Sequence, residues 1–253
     1  MKAFGPGKVK LERALSKLGI ASRVVAREWI LAGKVQVNGA VQRNPDFAVN
    51  PERTIIAVDG QRVQKAQTRT FLLYKPKGTV TTHSDEKGRK TVFTLLQELD
   101  IHLIAVGRLD WATSGLLLLT NDTRLADWLT DPSNGIQRTY LVTVRGEATE
   151  VKLELLRGGI KNQGESLRAQ DIFLRKASGR ESHLTVNLTE GKNREIRRMF
   201  ASIGHEVTRL KRVSYGKLEL GELRPGEYRE LSKEELLQAF PGIPVVAQRA
   251  RSI

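Results

Sequence analysis

Four consecutive leucines, Leu116–Leu119, constrain the fold of this chain more than any other feature. They stand between Gly115 and Thr120, in a run far shorter than the roughly 18 apolar residues of a membrane span. Successive residues of a strand point to opposite faces. An uninterrupted apolar run therefore reads as a strand covered on both sides. Five residues upstream of it, Gly107-Arg108-Leu109-Asp110 reads as a polar turn, which sets one carboxylate at the mouth of an apolar strand. A lone acid in such a place has its pKa raised and tends to be neutral. It stays ionised only if a cation is brought to it from elsewhere in the chain.

Cations are plentiful. Lys plus Arg is 42 against 28 Asp plus Glu, a net charge of +14 with a pI near 10.2. Such a balance points to a polyanionic partner, either nucleic acid or an acidic membrane surface. The 253 residues, 40% hydrophobic, suffice for one large domain or two modest ones. The absence of cysteine excludes disulfides and thiolate metal sites. His83, His102, His183 and His205 show no metal-ligand spacing and read as surface or satisfied core histidines. The first residues, MKAFGPGKVKLERAL, lack the long apolar stretch of a signal peptide. The expectation is a soluble, cytoplasmic protein.

Residues 8–65 read as a unit of their own. Leu11, Leu15 and Leu18 share a helical face ending at Gly19. Ser22 can cap a second helix with Ala26, Trp29 and Ile30 inward, ending at Gly33. Val35 and Val37 alternate before Asn38-Gly39, a hairpin signal, and Ile55–Val58 ends at Asp59-Gly60. This unit holds eleven Lys/Arg against five Asp/Glu, a net of +6 in about a quarter of the chain. Residues 62–70 are polar without periodicity and read as a linker. From Phe71, β-branched stretches alternate with helices expected at 123–130, 149–157 and about 193–203. That mixture predicts an α+β domain over 71–240 with a mixed, largely antiparallel sheet. The tail after Phe240, with two prolines and two arginines, reads as loose.

The cation for Asp110 is best supplied by EGKNREIRRMF, residues 190–200. A helix from Asn193 places Glu195 and Met199 on one face and spreads Arg194, Arg197 and Arg198 round the others. Taken alone, this reads first as a solvated basic helix and next as one that touches phosphates.

Sixteen consecutive positions, GRLDWATSGLLLLTND, resemble the signature of the RsuA/RluB group of pseudouridine synthases. YKPKGTVTT (74–82) and GRKTVF (88–93) precede it. RTYLVTVRG (138–146), EGKNREIRRMF and the stretch 203–231 follow it, in the group's order. Residues 8–65 resemble the S4 RNA-binding domain that these enzymes carry at the N-terminus. Within that domain, SRVVARE departs from the group, which often has a second arginine after Ser-Arg. The chain stands nearer the RluB-type members, through YKPKGTVTTHSDEKGRKTVF and SGLLLLTND.

The resemblance implies isomerisation of a uridine in ribosomal RNA, in the large subunit for an RluB-type enzyme, with no metal or redox cofactor. Asp110 matches the catalytic acid, which either attacks ribose C1′ or abstracts a proton to give a glycal-like intermediate. Arg197 matches its basic partner and Tyr140 the aromatic that stacks on the target base. Arg108 resembles the residue that enters the helix when the uridine is flipped out. Lys75, Lys192, Arg194 and Arg198 are further expected RNA contacts, with Arg23 and Lys34 in the S4 unit. The partner is ribosomal RNA or a pre-ribosomal particle, with no membrane, and the enzyme is expected to be a monomer. Two alternatives are a small-subunit RsuA-type synthase and a catalytically silent RNA-binding assembly factor. A glycosidase would need two cooperating carboxylates, and Asp122 lies twelve residues away across the strand.

Overall fold

A computed structural model describes residues 7–64, 66–99 and 101–244. The N-terminal methionine stretch, Lys65 and most of the tail expected to be loose lie outside those residues. The chain divides into two compact units. One runs through Arg69 and includes Gln97–Ile104 and Thr120–Thr123; the other holds Thr70–Leu96, Ala105–Leu119 and the chain from Arg124.

In the first unit, α1 (Leu11–Lys17) packs beside α2 (Arg23–Leu31). The Ser22 side chain accepts from the Val25 amide at 3.1 Å, the cap expected from its position. Leu11, Leu15, Ala26 and Ile30 are buried from the helices, and Val35, Val37 and Ile56 from the strands. The strands form an antiparallel sheet in the order Ala40–Val41, Val35–Val37, Ile56–Val58, Gln61–Arg62. Asn38 has a φ of 51° and Gly39 of 86°, the left-handed pair that a tight hairpin demands. Val9–Lys10 pairs with Ala48–Val49, a two-residue ribbon too short for any periodicity to signal.

The segment read as a linker is in fact tied down. Ala66 donates its amide to Leu18 O, and Asn121 bonds both Gln67 O and the Arg69 amide. On the segment's side these bonds use backbone groups, met by Leu18 O and the Asn121 side-chain amide, which the polarity of residues 66–69 does not reveal.

The second unit is built on a nine-stranded sheet whose main path runs Asp171–Ala177, Glu181–Leu188, Arg138–Arg145, Val207–Tyr215, Ser114–Thr120, Thr70–Lys75, Tyr228–Glu230. The pairing of Val207–Tyr215 with Ser114–Thr120 is parallel, whereas Arg138–Arg145 pairs antiparallel with both its neighbours. The architecture is thus α+β with a mixed, largely antiparallel sheet. Helices α3 (Thr123–Thr130), α4 (Glu150–Gly158) and α5 (Glu195–Ser202) fall where the periodicity puts them. A further helix, α6 (Lys233–Ala239), starts at a capping box in which Ser232 and Glu235 satisfy each other's backbone amides. The sequence Ser-Lys-Glu-Glu carries that signal.

Leu116–Leu119 are each at most 1% exposed, so both faces of their strand are covered. Burial of a leucine side chain contributes about 1.5–3 kcal/mol, and four in a row fix this strand in the middle of the sheet. Gly115 lets it approach its parallel neighbour. Its φ is +108°, and a Cβ there would stand 2.1 Å from Arg212 O and 2.7 Å from Arg212 N, both backbone atoms. Gly115→Ala therefore meets a steric and a torsional penalty together. It is expected to lower the unfolding free energy by about 2–5 kcal/mol, measured by urea denaturation; a loss below about 1 kcal/mol would contradict this account of the strand pair.

Candidate active site

Asp110 sits on a turn between the strands Ile104–Val106 and Ser114–Thr120. Its carbonyl accepts the Thr113 amide at 3.1 Å, and the Gly78 amide donates to Trp111 O at 2.8 Å. The Thr81 hydroxyl donates to Leu109 O at 2.9 Å. Beneath the turn lies Lys75, with no exposed surface. Its ammonium donates to Thr113 O at 2.8 Å and to Pro76 O at 3.1 Å. Burial lowers the Lys75 pKa to about 8, against the pull of the Asp110 charge, which raises it. The turn is thus fixed from both sides before any side chain of the site is considered.

The carboxylate of Asp110 is about a quarter exposed. Its Oδ2 accepts from Arg197 Nε at 3.1 Å and from Arg194 Nη1 at 3.3 Å. Arg197 is the better-held partner. Its Nη1 donates to Val207 O at 2.9 Å and its Nη2 reaches the Thr113 hydroxyl at 3.4 Å. All three nitrogens of the guanidinium are engaged, and the side chain is 13% exposed against 54% for Arg194. Burial pushes the Asp110 pKa up. The Thr113 hydroxyl and the two arginines more than reverse that, and the carboxyl titrates below its ordinary 3.8. The chain therefore holds an ionised carboxylate in a half-dry place, with buried Oδ1 making no close hydrogen bond of its own.

A cavity of about 250 Å³ opens nearby, lined among others by Arg108, Arg138, Tyr140, Lys192, Arg212 and Tyr215. Asp110 is two residues beyond Arg108 and is not among the lining groups. Tyr140 is 8% exposed, and the strand carrying it pairs with both Glu181–Leu188 and Val207–Tyr215. Arg138 is buried and ties three elements: it donates to Thr189 O, to Leu129 O and to the Tyr215 hydroxyl. Arg212 donates Nε to Leu116 O, which joins the leucine strand to the cavity wall.

The structure thus brings Asp110, Arg197 and Arg194 together, and places Arg108, Tyr140 and Lys192 on one cavity. Lys192 donates from its ammonium to Glu190 at 2.6 Å and to Ser166 O at 2.7 Å. Two other expected RNA contacts are occupied by the protein. Lys75 is the buried brace just described. Arg198 turns to the hairpin of Ile160–Asn162 and Glu165–Leu167, where it bonds Asn162 Oδ1, Asn162 O and Glu165. Arg23 and Lys34 are exposed in the first unit, and Lys34 has Asp59 at 3.7 Å. The parts not foreseen in the sequence are the Lys75 brace, Thr113, Arg138, Arg212 and the burial of Glu195. Only Thr113 had a local signal, a hydroxyl three residues after an aspartate in a turn.

Among the described residues no group of three or more His, Asp or Glu is arranged to hold a metal ion, and no helix is long and apolar enough to cross a membrane. His205 bonds Arg145 O and Lys152, and His183 bonds Thr143 and Glu181.

Residues 69–202 match the RNA pseudouridylate synthase family, and residues 9–55 match the S4 domain. An uncharacterized RNA pseudouridine synthase of Aquifex aeolicus (strain VF5) is 36% identical over 236 residues, 93% of this chain and 95% of that protein. The ribosomal large subunit pseudouridine synthase B of Bacillus subtilis (strain 168) is 38% identical over 229 residues, 90% of this chain and 93% of that one. A crystal structure of a pseudouridylate synthase superposes with a TM-score of 0.62 at 27% identity, over 92% of this chain and 99% of its own. A half-buried carboxylate kept charged by arginines thus lies within the matched segment, and the chain belongs to the RNA pseudouridylate synthase family, with an S4 domain at its N-terminus.

Proposed function

We propose that this pseudouridine synthase acts on a uridine of large-subunit ribosomal RNA, with Asp110 as the group that reacts with the nucleoside. The observation that carries the chemical part is the ionised Asp110, held by Arg197 at 3.1 Å at the mouth of the buried leucine strand. Isomerisation of uridine to its C-glycoside detaches uracil from the ribose, turns it and rejoins it through carbon. Water at that moment would hydrolyse the intermediate, so the reacting carboxylate has to be charged and yet poorly hydrated. Attack at C1′ and proton abstraction both meet that need. The rRNA part rests on the likeness to the Bacillus subtilis enzyme, whose name specifies the large ribosomal subunit.

In this reading Tyr140 offers its ring to the flipped base, where stacking is worth about 1–3 kcal/mol. Arg108, exposed at the rim of the cavity, enters the gap left in the RNA. Lys192 and Arg194 face the RNA backbone, while Lys75 and Arg198 brace the protein that carries them. Residues 71–240 perform the chemistry. Residues 8–65 supply affinity through charge, with Arg23 and Lys34 against phosphate. The enzyme acts as a monomer in the cytoplasm.

Asp110→Asn keeps the shape and removes the charge. Its single-turnover rate is expected to fall about 10⁴-fold or more, while RNA affinity stays within about threefold. Substantial isomerisation by this variant would sink the assignment. Arg197→Met takes away the cation that overcomes desolvation, so the Asp110 pKa rises and the acid limb of the rate profile moves to higher pH. An unmoved limb would show that another group keeps the carboxylate ionised. Arg23→Gln with Lys34→Gln should make the log–log salt dependence of RNA binding shallower by about 1.4 on single strands and 1.8 on duplexes. The rate at saturating RNA should be little changed. An identical slope would mean that neither cation meets phosphate.

A further inference from the structure

Glu195 has no part in the chemistry just described, yet it is the least exposed carboxylate side chain near the site, at 3%. It opens α5 between the two arginines that hold Asp110. The residue before it, Arg194, has a φ of +47°, a left-handed conformation that costs a side-chain-bearing residue energy and persists only where its surroundings enforce it. Five contacts enforce it here. Glu195 Oε2 accepts the Lys192 amide at 3.0 Å. The Arg198 amide donates to Arg194 O at 3.0 Å. The Lys192 ammonium spans Glu190 and Ser166 O, and Arg138 holds Thr189 O at the start of the segment.

The other oxygen of Glu195 is anomalous. Oε1 is buried and no donor of the protein reaches it. The carboxyl of Glu190 acts on the Glu195 carboxyl and raises its pKa. Glu195 is buried and Glu190 about a third exposed; two ionised carboxylates so placed are both acceptors, and a proton between them satisfies the pair. The remaining charged groups on the elements packed against α5, Arg212 apart, are occupied elsewhere or solvated. Arg198 holds Glu165 and Lys211 lies over the Tyr74 ring, while Lys161 and Arg209 are exposed; Arg212 bonds Leu116 O through Nε, and its buried Nη2, on the cavity that Glu190 also lines, has no acceptor within the protein.

We propose that Glu195 is a positioning residue for the uridine isomerisation: protonated and shared with Glu190, its carboxyl locks residues 190–194 in the conformation that presents Arg194 to Asp110. The proposal rests on the assignment of Asp110 as the reacting group. Burial, with the Glu190 carboxyl beside it, raises the Glu195 pKa to about 7. When the proton leaves, two carboxylates repel across the gap beside the Lys192 ammonium. The segment loosens, Arg194 leaves Asp110, and the cavity loses the ordered Lys192. The lock therefore holds below about pH 7 and opens above it. In the folded protein the proton is held more tightly than in the unfolded chain, so this contribution to stability is present at acid pH and is lost as pH rises through about 7.

The test uses the full-length chain and two readouts, one independent of turnover. The first is the ¹³C shift of the Asp110 side-chain carboxyl, followed in the free protein from pH 5.5 to about pH 9. The wild type should show an inflection near 7, as Arg194 leaves, and Glu195→Gln should not. The glutamine keeps an oxygen for the Lys192 amide and an N–H for Glu190, so it mimics the protonated acid at every pH. Glu190→Gln, which removes the repelling partner, should also abolish the inflection. The second readout is the single-turnover rate at saturating rRNA. In the wild type it should fall about fivefold or more between pH 6.5 and 8.5, whereas in Glu195→Gln it should stay within about twofold. Glu195→Ala, which loses the bond to Lys192, should be slower at both pH values.

An inflection or a rate limb that survives unchanged in Glu195→Gln would overturn the proposal, and a limb near pH 8 would then belong to Lys75. The absence of any wild-type inflection near 7 would overturn it as well. If the inflection behaves as expected and no rRNA is isomerised, the functional assignment fails and the lock stands.

Discussion

The contact between Asp110 and Arg197 is the constraint around which the second unit is arranged. A carboxylate placed against apolar residues loses its charge unless a cation is held close, and a flexible surface cation holds nothing in place. Arg197 meets the need because it is not flexible. It is pinned by Val207 O and the Thr113 hydroxyl as well as by Asp110. Those partners bring the start of the strand Val207–Tyr215, the Asp110 turn and α5 to one point. The parallel pairing of Ser114–Gly115 with Lys211–Arg212 then follows, with the glycine that permits it. Lys75 closes the arrangement from below, at the cost of burying an ammonium whose pKa drops to about 8.

The positive charge of the chain is divided between different tasks. Part of it lies on the first unit, where Arg23 and Lys34 are exposed and suited to phosphates. Another part is turned inward and holds the site together: Arg138, Arg197, Arg198 and Arg212 make their hydrogen bonds with carbonyls, carboxylates and two hydroxyls of the protein. A net charge of +14 thus overstates how many cations are available to RNA. Guanidinium groups suit the inward task, since a planar fork with several donors can satisfy three elements at once.

How much of this was legible in the sequence depended on the range of the interaction. The leucine strand, the Ser22 cap, the Asn38-Gly39 hairpin and helices α3 to α5 are local, and local patterns announced them. The pairing of Asp110 with Arg197 joins residues 87 apart. Burial physics demanded some cation, but only the family resemblance pointed to that one. Lys75 and Arg198 read as RNA contacts because a basic residue in a site looks available until its partners are known. The ties of residues 66–69 to Leu18 and to the Asn121 side chain use the backbone groups of that segment, which every residue carries and no composition reveals. The helix showed Glu195 and Met199 sharing a face but not that Glu195 would be buried beside Glu190, next to a left-handed residue at 194 that no sequence rule requires.

The central claim is that this carboxylate site isomerises a uridine of large-subunit rRNA. Its most direct test is a nucleotide-resolution map of pseudouridine in rRNA lacking the modification, before and after exposure to the purified full-length protein. The account predicts a new pseudouridine in the large-subunit RNA at a defined position, with the small-subunit RNA unchanged. New pseudouridine confined to the small-subunit RNA would contradict the substrate, and maps identical before and after, with naked RNA and with assembling particles alike, would contradict the activity.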